Sequence, residues 1–378
     1  MKILLVIDQF DDANNGTTIS AKRFAEMLKK HGNDVRVVST GEEAEGKYIV
    51  REWKVPLFDK IIKDQGMTFA RPDKTTLESA MRDVDVAHFL MPFRLSIEGL
   101  KVARQLGVPH TAAFHVQPEN ITYTIGMGKW AGVNTAIYRG FKTIFYNHFT
   151  HIHCPSNFIA NELRENGYTA KLHVISNGVD EDFVYRKLPK APEFEGKKLV
   201  LMVGRLSNEK RQDVLMEAVS KSRYADKIQL ILAGQGPKQH AYEQLGAKLA
   251  NPPIMRFYTK SELMDIMAMS DLYVHAADAE IEAISCMEAF CSGLVPIIAN
   301  SQKSATPQFA LDDRSLFAAG DSDDLAAKMD YWFDHEEERR EMERAYSEHG
   351  KQYNLSNCVH QIEEMFGEAI EENGRVLR

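Results

Sequence analysis

Residues 279–300 read AEIEAISCMEAFCSGLVPIIAN. Glu280 and Glu288 stand eight apart in this stretch. Ile284, Met287, Phe290 and Cys291 recur at helical spacing between and after them. Ser292-Gly293 then ends the helix, and Leu294-Val295-Pro296-Ile297-Ile298 reads as a short buried strand. The pattern predicts a carboxylate at a loop tip, a helix with a second carboxylate near its start, and a parallel strand behind. Open α/β folds bind ligands in loops outside the carboxyl ends of such strands, and two carboxylates there suit grasping hydroxyls. On spacing alone, two ordinary glutamates on a solvated helix face fit as well.

Upstream, an apolar strand over 199–203 runs into Gly204-Arg205-Leu206-Ser207-Asn208-Glu209-Lys210. Arg205 and Lys210 straddle the turn into the next helix. Two cations at such a loop suit a diphosphate: the guanidinium forks onto two phosphate oxygens and the ammonium supplies a point charge. A second buried strand ends in Gly234-Gln235-Gly236-Pro237.

These stretches carry a resemblance. Glu280, seven residues, Glu288-Ala289, then Gly293-Leu294-Val295-Pro296, resembles the signature of the retaining nucleotide-sugar glycosyltransferases of GT-B family 4. The Gly204-Arg205-Leu206-x-x-Glu209-Lys210 segment resembles that family's diphosphate motif. The resemblance implies an α/β fold of the GT-B type: two Rossmann-like domains facing each other across a cleft, with the C-terminal helix crossing back to the first. It implies that Arg205 and Lys210 meet the diphosphate, Glu288 holds the ribose and Glu280 holds hydroxyls of the donor sugar. Gly234 ends a strand as the family pattern expects, and the backbone near Phe257-Tyr258 lies beside the base. Backbone amides of the loop holding Ala283 and Ile284 approach the donor. The family has a Phe-Gly pair where this chain has Glu282-Ala283; alanine is expected to serve there at ordinary backbone angles.

The first half opens with an apolar strand over 2–7, the polar turn-rich run DQFDDANNG, and a helix to about Lys30 with Thr17, Thr18 or Ser20 as candidate caps. Strand, helix and the strand VRVV make a βαβ opening. It lacks G-x-G-x-x-G. Gly16 before the helix is compatible with close approach of a ligand, or is a plain loop glycine. His115 ends the strand HTAAFH, a functional position in this architecture, although structural histidines are common. The resemblance implies that it touches the donor sugar or the acceptor region. PFRLSIEG and FHVQPENITY resemble the branch that glycosylates membrane lipids such as diacylglycerol, with Val116 where threonine is common. Asn177, in Ser176-Asn177-Gly178-Val179-Asp180, resembles the family's Asn-Gly-Val-Asp segment at the end of the first domain. Domains are expected over 1–183 (acceptor-binding, with a terminal helix at about 357–372) and 198–356 (nucleotide-sugar-binding), joined by the proline-bearing linker 184–197.

The 378 residues exceed the usual size of a single core, which favours two domains. Residues 1–180 carry +2 (22 Lys+Arg against 20 Asp+Glu), and the rest carry −10 (24 against 34). An acidic second half argues against nucleic acid as the partner, while the first half suits an anionic membrane surface. Residues 129–153, KWAGVNTAIYRGFKTIFYNHFTHIH, interleave rings with cations. They read either as an interfacial amphipathic helix or as a core helix of the first domain. No apolar run reaches membrane-spanning length, and no signal segment precedes the first strand. Cys154, Cys286, Cys291 and Cys358 form no C-x-x-C pair and read as reduced thiols of a cytoplasmic protein, peripheral at the inner face if the membrane reading holds.

The expected activity is transfer of a hexose from a nucleotide-diphosphate sugar, UDP-glucose first, to a hydroxyl acceptor. The acceptor is diacylglycerol or a glycolipid, or else a soluble sugar, sugar phosphate or polysaccharide precursor. No bound cofactor and no metal is expected: the Asp11-Asp12 pair lies in a solvent loop, and the cations take a metal's place. A sugar phosphorylase, an epimerase and a non-catalytic nucleotide-sugar-binding protein are the rival readings.

Overall fold

The structure, a computed structural model, describes residues 1–11, 16–54, 67–119, 122 and 131–376. The chain divides into two compact units, Met1–Gly178 with Leu355–Arg378, and Val179–Asn354.

The first unit is built of β1 (Lys2–Val6), α1 (Gly16–Lys30), β2 (Asp34–Ser39), β3 (Lys47–Ile49), α2 (Lys74–Met81), β4 (Val86–Phe89), α3 (Arg94–Leu106), β5 (His110–Ala113), α4 (Ala131–Ile144), β6 (His151–Cys154), α5 (Asn157–Glu165) and β7 (Lys171–Val174). The strands form a parallel sheet in the order β3-β2-β1-β4-β5-β6-β7. Helices cover such a sheet on both faces, so its strands read as unbroken apolar runs. In β1, Ile3 to Val6 are all buried. β1 pairs Lys2 with Asp34 on one side and Ile3 with Val86 on the other. The chain therefore works outward from β1 to β3, then crosses back to β4, leaving a switch in strand order between β1 and β4.

One expectation for this unit is corrected. Thr17, Thr18 and Ser20 do not cap α1, which starts at Gly16. Ser20 bonds back to the Gly16 carbonyl at 2.9 Å, and Thr18 reaches the Gln9 carbonyl at 3.4 Å. The ring-rich stretch gives four rings to the core, one of its two expected readings, while Ile144 at the end of α4 is exposed. Tyr138, Phe145, Tyr146 and Phe149 are buried. Tyr138 stacks on Phe114 at 5.8 Å between centroids, and Phe145 meets Phe149 edge-on at 4.8 Å. Rings buried this way stabilise the unit through apolar area and edge geometry, and none of these four faces solvent. Lys129 and Trp130 of that stretch, and Asp12 of the acidic pair, lie outside the described residues. Asp11 is exposed, as expected of a solvent loop, and accepts from Lys47 Nζ at 2.6 Å.

In the second unit, β8 (Lys198–Val203), α6 (Gln212–Lys221), β9 (Ile228–Ala233), α7 (Gln239–Gly246), β10 (Ile254–Arg256), α8 (Lys260–Met269), β11 (Leu272–His275), β12 (Ala279–Glu280), α9 (Ile284–Cys291), β13 (Pro296–Asn300), β14 (Lys303–Ser304), β15 (Leu316–Ala318), α10 (Ser322–Asp334) and α11 (Glu336–Gly350) follow in order. The main sheet is parallel, β10-β9-β8-β11-β13-β15, and β12 pairs with β14 in a separate ribbon. Its switch in strand order falls between β8 and β11. Residues 184–197 pack onto this unit: Phe194 is buried, and Lys190 Nζ donates to Asp271 at 2.6 Å. α10 and α11 meet at His335.

The last helix, α12 (Leu355–Val376), is longer than expected and belongs to the first unit. Leu355, Cys358, Val359, Ile362, Met365 and Phe366 recur on one face and share a core with Ile3, Leu5, Phe24 and Leu28.

Candidate active site

In the second unit the loops after β8 and β11 flank the switch point, where open α/β sheets hold ligands. The β8 loop carries Arg205 and Lys210, and the β11 loop carries Glu280. Two tight approaches fix the first loop. A Cβ on Gly234, just past β9, would lie 2.0 Å from the Gly204 carbonyl oxygen, and one on Gly236 would lie 2.3 Å from that of Leu206. Gly234 thus acts as a spacer that lets two backbone loops touch.

Lys210 Nζ donates to Glu280 Oε1. The same carboxylate oxygen lies 3.1 Å from His275 Nε2. Behind it, Tyr273 Oη sits 3.2 Å from His275 Nδ1 and 3.2 Å from Ser285 Oγ, which donates to the Val203 carbonyl. A polar chain therefore runs from the ammonium back into the sheet. Burial alone would push the Glu280 carboxyl up; Lys210 and His275 overcome it and hold its pKa at about 2. Burial also works against the Lys210 charge, but Glu280 and Glu209 raise its pKa, with Arg205 opposing them. Arg205 is thus close enough for its charge to be felt at Lys210, and both groups are ionised at neutral pH. The Arg205 carbonyl accepts from Gln212 Nε2 at 2.8 Å, tying the loop to the start of α6.

Glu280 is not at a loop tip, as the spacing predicted. It lies in β12, pairs in register with Ser304, and its side chain is only 13 % exposed. Glu288 is the fifth residue of α9, past its first turn, and is buried. Ala283 overturns the expectation of ordinary backbone angles: it stands at φ 66°, ψ 63°, in the left-handed region, immediately before α9. Ile284, half-buried, opens that helix. Phe257 follows β10 and is 61 % exposed, while Tyr258 lies under the Arg256 guanidinium at 3.7 Å.

The remaining candidates lie in the first unit. His115 sits two residues past β5 and is buried. Its ring meets His153 edge-on at 5.3 Å. Burial, with His153 and His88 adding to it, pushes its pKa well below the ordinary histidine value, so the imidazole is neutral. Its Nε2 is buried without a hydrogen-bond partner among the described residues. Asn177 is buried beyond β7, and Gly16 begins α1 with open space where a Cβ would stand. At this unit's own switch point is a cavity of about 200 Å³, lined by Asp8, Trp53, Phe69, Ala70, Pro92, Phe93, Arg94 and Ile97.

Sequence reasoning missed His275, Tyr273 and Arg211. The first two alternate along β11 and so share a face; that period-two signal was available, next to a glutamate already singled out. Arg211 had no such signal. It holds φ 55° and reaches Asp278 at 3.2 Å and Asp213 at 3.2 Å, fastening the β11 loop to the β8 loop. Asp278 N–H also donates to the Glu209 carbonyl at 2.8 Å.

Two parallel-sheet α/β units with cations and carboxylates at one unit's switch point define the GT-B glycosyltransferase class. Anabaena Alr3699/HepE, solved in complex with UDP and glucose, superposes with a TM-score of 0.74 over 97% of this chain and 99% of that one, at 14% identity. The chain belongs to the group 1, family 4 glycosyltransferases: residues 185–349 match the model "Glycosyl transferases group 1", and residues 14–183 match "Glycosyltransferase Family 4". The alpha-monoglucosyldiacylglycerol synthase of Streptococcus pneumoniae (strain ATCC BAA-255 / R6) is 24% identical over 320 residues, 79% of this chain and 71% of that one. A GDP-mannose-dependent alpha-mannosyltransferase of Mycolicibacterium smegmatis (strain ATCC 700084 / mc(2)155) is 28% identical over 317 residues, 79% of each chain.

Proposed function

We propose that the protein moves a hexose from a nucleotide-diphosphate sugar to a hydroxyl of a membrane lipid, with retention of configuration at the anomeric carbon and without a metal ion at the donor. The observation that carries this reading is the Lys210–Glu280 pair with the Arg205 charge beside it. Departure of a diphosphate develops negative charge, and fixed cations in a partly buried site stabilise it best. Arg205 and Lys210 take that role. Glu280 orients hydroxyls of the sugar, and Glu288 holds the ribose. Backbone amides at Ala283 and Ile284 face the donor at the start of α9, Gly234 shapes the loop, and the chain at Phe257 and Tyr258 borders the base. His115, neutral, serves the sugar or the acceptor from the first unit, where Gly16 and Asn177 complete the set. That unit takes the acceptor, and the cavity beside Asp8 suits its apolar part.

The first donor is UDP-glucose and the first acceptor diacylglycerol or its monoglucoside, in keeping with the name of the pneumococcal relative. A GDP-mannose donor is the second reading, favoured by the mycobacterial relative. No helix among the described residues is long and apolar enough to cross a membrane. In this reading the enzyme reaches its lipid reversibly, from the cytoplasmic face. The test incubates the purified protein with each donor against diacylglycerol, glucosyldiacylglycerol and soluble sugars. Mass spectrometry reads the product and NMR its anomeric configuration. An α-glucolipid is expected. Turnover of soluble acceptors only would reject the lipid, and an inverted product would reject retention.

A further inference from the structure

A cluster of side chains in the first unit, apart from every residue placed at the donor site, brings three potential metal ligands around one point. His151 on β6, His173 on β7 and Glu368 on α12 converge at one edge of the sheet. His151 Nδ1 and His173 Nε2 are 2.9 Å apart, and each lies 3.8 Å from Glu368 Oε2. The point equidistant from these three atoms is about 2.1 Å from each. Zinc binds imidazole nitrogen at about 2.0–2.1 Å and carboxylate oxygen at about 2.0–2.2 Å.

The surrounding groups favour a metal in a second way. His151 Nε2 lies 2.9 Å from Glu372 Oε2. A carboxylate there accepts the Nε2 proton and leaves the Nδ1 lone pair facing His173, the carboxylate–histidine arrangement that commonly backs a metal-bound imidazole. His173 needs only to carry its proton on Nδ1 for both rings to present lone pairs to one point. Glu368 also pairs with Lys171 Nζ, but that ammonium is 57 % exposed and can turn to solvent at little cost. The histidine side chains are 1 % and 12 % exposed and Glu368 is 43 % exposed. The nitrogens are therefore held by the fold while the carboxylate side stays open to water.

We propose that His151, His173 and Glu368 bind one Zn²⁺, with water in the fourth position, and that the ion fastens α12 to the β6–β7 edge. Two imidazoles and one carboxylate suit zinc or a neighbouring borderline metal better than magnesium or calcium, which prefer all-oxygen shells. The ion would act on the fold and not on the sugar transfer.

The test uses the full chain without a polyhistidine tag, stripped with chelator and titrated with Co²⁺. One equivalent should bind with visible d–d bands, which Zn²⁺ then abolishes. Zn²⁺ should also raise the melting temperature. Glu372→Gln should weaken Co²⁺ affinity about ten- to hundredfold. His173→Gln should abolish the bands at one equivalent. His31→Gln, which loosens an unrelated contact of α12 with Glu363, should leave them unchanged. Variants whose metal-free circular dichroism and melting match the parent exclude misfolding as the cause. Absence of bands in the parent, or bands that persist in His173→Gln, would overturn the proposal and leave a hydrogen-bonded cluster closed by Lys171.

Discussion

Lys210 donates to Glu280 Oε1, the same oxygen that His275 Nε2 approaches at 3.1 Å. The proposed phosphate cation and the proposed sugar carboxylate are therefore one unit, and mutating either disturbs both. Lys210→Ala should lower kcat/KM roughly 100-fold, on the scale of about 2.7 kcal/mol for a lost transition-state donor. Glu280→Gln should lose a similar amount, and the double variant much less than the product of the two. Steady-state kinetics of the four proteins measure this. Independent losses would separate the two roles, and Lys210→Ala within threefold of the parent would reject the clamp.

His275 acts through Glu280. With its ring held by Tyr273 at 3.2 Å, it fixes one oxygen of the carboxylate. His275→Ala should cost roughly tenfold in kcat/KM, about 1.4 kcal/mol, and Tyr273→Phe less. Because Glu280 is proposed to orient the sugar, the loss should fall on transfer and leave UDP affinity, measured by calorimetry, within about twofold of the parent. Equal losses in both readouts would make His275 a general packing residue.

Ala283 carries a backbone that glycine adopts freely and alanine does not. Its φ of 66° costs about 1–2 kcal/mol for an L-residue. A β-branched side chain there meets still more steric conflict. Ala283→Val should therefore destabilise the protein by about 2 kcal/mol or more, read by denaturant unfolding. Stability within about 0.5 kcal/mol of the parent would show that the loop relaxes to ordinary angles.

Ala283 also marks what the sequence could and could not tell. Parallel strands must be apolar and their carboxyl-end loops polar, which made the loops carrying Glu280, Arg205 and Lys210 legible. Their proposed roles came from the family resemblance, because on spacing alone Glu280 and Glu288 fit a solvated helix face equally well. The backbone angle at Ala283 was not legible, because alanine signals nothing about φ. The rings at Tyr138, Phe145 and Phe149 were ambiguous for another reason: aromatic residues next to cations fit a core helix and an interfacial one equally, and only the sheet beneath them decides. The division after Gly178 was hidden too, since Val179 and Phe183 pack into the second unit's core although they precede the proline-bearing stretch taken as a linker. His151, His173 and Glu368 could not be grouped at all, because α12 brings Glu368 back from the far end of the chain.

Chelation separates the proposed metal-free donor site from the proposed metal site at α12. With cations at the donor, EDTA should leave kcat/KM for sugar transfer within about twofold of the untreated enzyme at 25 °C. Loss of activity restored by Mg²⁺ or Mn²⁺ would reject metal-free donor chemistry. The rate assay reads the second unit's site, while melting under the same conditions reads α12.

Asp8 gives a pH dependence whose sign is fixed. Its carboxyl is buried at the end of β1, with Oδ1 accepting from the Ala70 N–H at 2.9 Å and Oδ2 without a hydrogen-bond partner among the described residues. Burial raises its pKa from 3.8 to about 7, the Ala70 hydrogen bond only partly opposing it. Below about pH 4 the group is protonated both folded and unfolded and contributes nothing to the pH dependence. Between about pH 4 and 7 the unfolded chain releases the proton while the folded chain keeps it, so stability falls as pH rises. Above 7 the folded protein carries a buried charge. Asp8→Asn can keep the Ala70 contact and cannot ionise. It should match or fall slightly below the parent at pH 4, where its amide replaces a neutral acid, and exceed it at pH 8 by on the order of 2–4 kcal/mol. Denaturant unfolding of both proteins across this range measures the crossing. Stability curves that run parallel from pH 4 to 8 would show that the Asp8 carboxylate is solvated in the folded protein, and would remove it as a wall of the apolar cavity.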